Sequence, residues 1–348
     1  MNFLKVRKII FFIYLFSLKF DFGISYKTNI NRISPIISPI YSISLKTPEN
    51  FANKKEKIQN KFRSFLKIIR SNNIPATTFL CFSGGWIMNP DLFSLFQNRQ
   101  FWISTLSTNL IMSASMIIND IFDMEVDQIN SAERPLITGE ITKSEAIRYT
   151  FGLLFITEFM TLFLQAPLRR IVHFAMLFTI IYTPILKRIL FVKNLSCANI
   201  VGFSLIFSGL SSSRTTFFNN PNREILLIAF NTIFCGSLTN ELLMDMRDYI
   251  GDKMNNINTV STYFGKRKAY ILINFIMYLN IFINFGLLIK IFHLQKSVIY
   301  ILLFIQQLVS LRKIGEKCEY SKGAIKKYMF QTNKTLVFLL LYFCFLSR

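Results

Sequence analysis

The stretch Asn119-Asp120-Ile121-Phe122-Asp123-Met124-Glu125-Val126-Asp127 closes an apolar run near 101–121. On an α-helix turning 100° per residue, Asn119, Asp123 and Asp127 fall within roughly 80° of one another, with Asp120 close by. Carboxylates crowded on one face repel each other and weaken an isolated helix. Beside a bilayer each ionised Asp also costs ~2.5–3.5 kcal/mol at full depth and less toward the interface. Something cationic must offset that cost. The segment reads as a membrane helix that ends in a charged site.

A second cluster has the same form. Glu241-Leu242-Leu243-Met244-Asp245-Met246-Arg247-Asp248-Tyr249-Ile250-Gly251-Asp252-Lys253 closes another apolar run near 223–244. Glu241, Asp245, Asp248 and Asp252 lie within about 60° on a helical wheel. Two such clusters at matching places in the two halves look like one divided site.

About nine apolar segments span or nearly span a bilayer, near 74–94, 101–121, 144–165, 168–186, 197–213, 223–244, 268–292, 296–313 and 330–347. The expected fold class is all-α: a polytopic membrane protein of about nine transmembrane helices. Bulk composition agrees, with 52% hydrophobic residues, 38 Phe, only 17% charged residues and a positive mean hydropathy.

The net charge of +21 lies in short segments between the apolar runs, which suits anionic lipid headgroups and not nucleic acid. Arg134, Lys143, Lys187, Arg188, Lys193, Arg247, Lys253, Lys266 and the Lys-rich stretch 312–327 fall in the loops on one side. The other side offers only Arg99, Arg169, Arg170, Arg214, Arg223, Lys290 and Lys296. That bias makes the basic face cytoplasmic, stromal or matrix-side and places both acidic clusters on it. Cys81, Cys197, Cys235, Cys318 and Cys344 show no metal-ligand spacing, and His173 and His293 stand apart, which leaves little room for zinc or histidine chemistry.

The first 48 residues read as a targeting leader. Lys5, Arg7 and Lys8 precede a short apolar run, Ile9 to Leu18, and an acid-free basic stretch follows from Tyr26 to Lys46. This two-part form is like that of leaders for plastids of secondary origin. Residues 49–72 read as a basic amphipathic surface helix with Phe51, Phe62, Phe65 and Ile68 toward lipid. Residues 73–348 make up the membrane domain.

Hard oxygen donors without His or Cys suit Mg²⁺, which keeps waters and takes one or two carboxylates plus phosphate oxygens. Here the sequence resembles a known family. Asn119-Asp120-x-x-Asp123-x-x-x-Asp127 followed by Arg134-Pro135-Leu136 is similar to the first motif of the UbiA superfamily of membrane prenyltransferases. Asp245-x-x-Asp248-x-x-x-Asp252 with Thr259-Val260-Ser261-Thr262-Tyr263-Phe264-Gly265 resembles the second motif and its tail. Tyr182-Thr183-Pro184-Ile185-Leu186-Lys187-Arg188, with Asn199 and Gly202 beyond, is a weaker third match.

The resemblance, over about residues 74–347, implies nine helices around a central cavity and Mg²⁺-dependent transfer of a prenyl group from a polyprenyl diphosphate. It implies that Asn119, Asp120, Asp123, Asp127, Asp245, Asp248 and Asp252 hold Mg²⁺, with Asp123, Asp127, Asp248 and Asp252 catalytic through it. Asn119, Arg134, Tyr182, Lys187, Asn199 and Lys253 would bind the diphosphate. Three departures touch loops: Asn256 and Ser261 stand where the tail usually has Gly and Pro, and Ile137-Thr138-Gly139 replaces Pro-Ser-Gly.

The acceptor is expected to be lipid-soluble or amphipathic. The short spacing from Asp127 to Arg134 resembles chlorophyll synthases, homogentisate transferases and archaeal-lipid transferases. With the leader, it favours chlorophyllide or an aromatic quinone or tocochromanol head group in a plastid membrane, with the mitochondrial inner membrane as the alternative. Two other readings compete. An ion or metal transporter would use intramembrane carboxylates as a path, and an inactive prenyltransferase-like scaffold would keep only the fold.

Overall fold

The computed structural model describes residues 49–316 and 320–347. The expected leader (1–48), Cys318 and the side chains of Phe51 and Arg188 lie outside the described set.

Among the described residues every regular element is a helix. In order the chain forms α1 (Glu49–Ile68), α2 (Ile74–Met88), α3 (Leu92–Gln97), α4 (Arg99–Phe122), α5 (Met124–Asn130), α6 (Lys143–Thr161) and α7 (Ala166–Tyr182). There follow α8 (Val192–Ser212), α9 (Arg223–Arg247), α10 (Tyr249–Met254), α11 (Val260–Phe264), α12 (Lys266–Ile291), α13 (Leu294–Glu316) and α14 (Lys322–Leu346).

Every expected apolar segment falls on a helix, yet among the described residues six helices are long and apolar enough to cross a membrane: α4, α8, α9, α12, α13 and α14. The shortfall from nine has physical causes. The 15 residues of α2 and the 17 of α7 reach only about 22 and 25 Å, against a hydrocarbon core of about 30 Å. The 19 residues of α6 include Lys143, Glu145, Arg148 and Glu158.

Neighbouring helices close a ring: α2 packs on α4 and α8, α4 on α6 and α7, α8 on α9, and α9 on α12 and α14, with α14 returning to α2. Contact between α2 and α8 depends on small residues. A Cβ on Gly84 would stand 2.1 Å from the Leu205 carbonyl oxygen, and Ser212 Oγ donates to the Gly85 carbonyl at 2.9 Å. Backbones approach this closely in membrane bundles where side chains are small. The core that α2 and α8 share with α9 and α12–α14 is filled by large apolar side chains, with Tyr300, Phe304 and Phe343 fully buried.

The amphipathic helix is placed differently from expectation. Ile68 is fully buried, and Phe65 packs edge-on against Tyr149 in a cluster with α4 and α6. Of the residues expected to meet lipid, Phe62 is exposed. The stripe of α1 is satisfied by helix packing, which buries the same apolar area that lipid would.

Candidate active site

Neither acidic cluster lies on one unbroken helix. α4 ends at Phe122, and Asp123 joins it to α5 with φ −96° and ψ 9°. α9 ends at Arg247, and Asp248 joins it to α10 with φ −93° and ψ 9°. Backbone hydrogen bonds still run across each pivot, from Asp123 N to Asn119 O at 2.9 Å and from Asp127 N to Asp123 O at 2.8 Å. The matching bonds from Asp248 N to Met244 O and from Asp252 N to Asp248 O are 2.9 and 3.0 Å. The pivot residues sit in the sparsely allowed bridge region, a conformation common at active sites.

The two tails meet where Gly251 faces Asn130. A Cβ on Gly251 would lie 2.2 Å from Asn130 Oδ1, so glycine there lets α10 rest on α5. The divided site is thus assembled at one end of the bundle.

Asp120, Asp123, Asp127, Asp245 and Asp248 are each held by a cation. Arg134 Nη1 donates to Asp120 Oδ1 at 2.9 Å and also to Asp127 Oδ2. Lys187 Nζ donates to Asn119 Oδ1 at 2.7 Å and to Asp123 Oδ2. Arg247 forks onto its neighbour Asp248 at 2.9 and 2.6 Å. Lys193 Nζ lies 2.6 Å from Asp245 Oδ1, and Asn194 Nδ2 donates to Asp245 Oδ2 at 2.9 Å. Burial pushes the carboxyls of Asp127 and Asp252 up to about 6, with Arg134 opposing at the first and Lys193 at the second.

Of the residues named from sequence, Asp120 and Asp127 share Arg134, Asn119 and Asp123 share Lys187, Asp245 is clasped by Lys193 and Asn194, and Asp248 by Arg247. Asp252 is buried. The Tyr182 hydroxyl accepts from Cys197 Sγ at 2.9 Å. Asn199 is not brought in: it is exposed, and its Nδ2 donates to Leu195 O within its own helix. Lys253 is also exposed, 5.7 Å from the centroid of the Tyr249 ring.

Sequence reasoning missed Lys193 and Asn194 as site residues. A signal existed for the first: Lys193 opens α8, where the helix dipole disfavours a cation unless an anion faces it. The departures also find reasons. Asn256 adopts φ 52°, a left-handed conformation that Gly prefers and Asn tolerates. Ser261 Oγ donates to the Asp245 carbonyl at 2.8 Å.

These residues fit Mg²⁺. The donors are carboxylates and carboxamides, and Asn194 Oδ1 is buried without a hydrogen-bond partner. Among the described residues no three His, Cys, Asp or Glu side chains form a ready metal cluster.

Residues 75–333 match the UbiA prenyltransferase family. The chain belongs to that family. It is a prenyltransferase and an integral, multi-pass membrane protein. Digeranylgeranylglyceryl phosphate synthase of Sulfolobus acidocaldarius is 29% identical over 224 residues, covering 63% of this chain and 76% of that one. The Methanococcus maripaludis protein of the same name is 25% identical over 287 residues, covering 79% and 96%. Among solved structures, one of digeranylgeranylglyceryl phosphate synthase matches with TM-score 0.60 and 23% identity over 82% of this chain and 97% of that one. A UbiA homologue from Archaeoglobus fulgidus bound to GPP and Mg²⁺ matches with TM-score 0.58 and 17% identity over 80% and 99%.

Proposed function

We propose that this prenyltransferase takes a polyprenyl diphosphate as donor, depends on Mg²⁺, and alkylates a lipid-soluble or amphipathic acceptor. The observation that carries the reading is the pair of pivoted acidic motifs, clasped by cations and brought together through Gly251 and Asn130. Anions and cations in alternation on a buried surface suit a metal–diphosphate complex better than a permeation path, which would run acids through the middle of spans.

Asn119, Asp123 and Asp127 from one half, with Asp245, Asp248 and Asp252 from the other, would hold Mg²⁺; Asp120, tied to Arg70 and Arg134, is the least free to do so. Bound Mg²⁺ would offset the charge that builds on the leaving diphosphate. Arg134 and Lys187, held here beside Asp127 and Asp123, would neutralise the diphosphate together with it; Lys193 is added from the structure. The allylic C–O bond breaks with its electron pair going to the diphosphate. The acceptor's nucleophilic atom bonds to the freed carbon and gives up its proton to a carboxylate or water.

For the acceptor, the similarity to digeranylgeranylglyceryl phosphate synthases supports a glyceryl phosphate already carrying one prenyl chain, which would be alkylated at its free hydroxyl. Chlorophyllide and aromatic head groups follow from the short motif spacing and the leader. The ether-lipid acceptor takes precedence because its support spans the motifs themselves. A plastid membrane, with the mitochondrial inner membrane as alternative, rests on residues 1–48, while the relatives named above are archaeal. A reporter fused to residues 1–72 tests it: arrest in the endoplasmic reticulum would end the plastid reading.

The deciding assay uses purified protein in detergent with Mg²⁺ and labelled geranylgeranyl diphosphate. Geranylgeranylglyceryl phosphate, homogentisate, chlorophyllide and 4-hydroxybenzoate are offered separately, with Asp123→Ala as control. Lipid-soluble product with the first acceptor, absent from the control, is the expected result. Product with another acceptor would reassign the substrate, and product in the control would defeat the metal-site reading.

A further inference from the structure

Helix α1 is strapped to the loop that follows the first acidic motif and to the first turn of α6. Lys61 Nζ donates to both Glu145 carboxylate oxygens at 2.8 Å, Lys67 Nζ to those of Glu140 at 2.9 and 3.0 Å, and Ser64 Oγ to Glu140 Oε2 at 2.7 Å. These are surface pairs, individually weak. Just past the end of α1 the pattern changes. Arg70 Nη2 donates to Asp120 Oδ1 at 2.9 Å, and Asp120 is only 3% exposed. The same oxygen accepts from Arg134 Nη1.

Arg70 reaches this position with φ 50° and ψ 55°, a left-handed backbone that a long side chain seldom adopts. Ile68 and Ile69, buried immediately before it, fix the chain there. A strained backbone held by packing, with its guanidinium aimed into a buried motif, suggests function beyond helix docking. Two guanidiniums on one carboxylate oxygen repel each other. With Arg70 in place, Arg134 is shared between Asp120 and Asp127. Without it, Asp120 is free to draw Arg134 away from Asp127.

We propose that Arg70 is a positioning residue: by occupying Asp120 it keeps Arg134 bridged to Asp127 and presents the first motif to the diphosphate in one arrangement. This rests on reading the motif as the diphosphate site.

The test uses the full-length chain in detergent and a non-reacting probe, geranylgeranyl thiodiphosphate with Mg²⁺, titrated by calorimetry. Arg70→Gln is expected to weaken probe binding about tenfold, the scale of one charge-assisted contact. It should raise KM for geranylgeranyl diphosphate by a similar factor and leave kcat nearly unchanged, the signature of lost ground-state binding. Arg70→Lys keeps a cation without the fork, and its affinity should lie between. Lys67→Gln cuts the strap without touching Asp120 and should bind the probe as wild type does. Wild-type affinity in Arg70→Gln, or equal weakening in Lys67→Gln, would overturn the proposal in favour of plain docking. Should Arg70→Gln fail to fold, Arg70→Lys decides alone, and wild-type affinity there overturns the proposal. Wild-type protein that binds the probe yet forms no product would sink the acceptor assignment and leave Arg70's role standing. A wild-type chain that does not bind the probe would sink both.

Discussion

The two acidic motifs share one backbone solution and differ in how they are neutralised. Asp123 and Asp248 stand at pivots within a few degrees of each other in φ and ψ. Around the first motif Arg70 and Lys187 come from 50 and 64 residues away, while Arg134 stands in the loop that follows the motif. Around the second, Arg247 is the immediate neighbour of Asp248, while Lys193 and Asn194 arrive from α8. Backbone geometry at such a site is a local property of the motif. Its electrostatics is a property of the whole bundle.

If the pivots are equivalent, Asp123→Ala and Asp248→Ala should each lower kcat/KM by on the order of 10²–10³. Loss confined to one would break the symmetry between halves, and parallel assays of the two purified variants decide it. The cations should separate the motifs. Lys187 and Asp123 are each about a fifth exposed, at 25% and 19%, whereas Lys193 and Asp245 are 13% and 5% exposed. Lys187→Ala should lower turnover by about 10² with little loss of stability. Lys193→Ala, which strands a buried carboxylate, should cost about 3–5 kcal/mol, read as a fall in thermal midpoint.

The junction gives a smaller effect. Gly251→Ala forces α10 off α5 and should cost about 1–3 kcal/mol, partly recovered when Asn130→Ala is added. A double-mutant cycle on unfolding measures the coupling, and simple additivity would mean that the tails do not lean on each other. Least affected should be Lys253→Gln. Its ammonium sits exposed over Tyr249, so KM for the diphosphate should change less than about threefold; a larger change would mean that Lys253 turns inward when substrate binds.

The helical membrane fold and the two acidic clusters were legible because they are carried by hydropathy and by residue type at helical spacing. The pivots were not, because no Pro or Gly marks Asp123 or Asp248, and the backbone bonds continue through them as in a helix. Arg70 was hidden among the Lys and Arg residues of 49–72, which give no sign of which one faces the site. Only burial of Asp120 and the turn after Ile69 single it out. Lys253 and Asn199 were named from motif position, and the structure leaves both exposed and outside the ion pairs, since motif position does not fix the partners of a side chain. The buried face of α1 was misassigned for another reason: an apolar stripe does not say whether lipid or protein will cover it.

Gly84 against Leu205 has a consequence for how this molecule can change. Where α2 and α8 touch backbone to backbone, no side chain remains to be trimmed, so that wall cannot be remodelled by ordinary substitution. On α13 and α14, Tyr300, Phe304 and Phe343 are large and fully buried, and each can be shortened. Any descendant that admits a bulkier lipid must gain its room on that side, which gives the bundle a fixed keel and an adjustable flank.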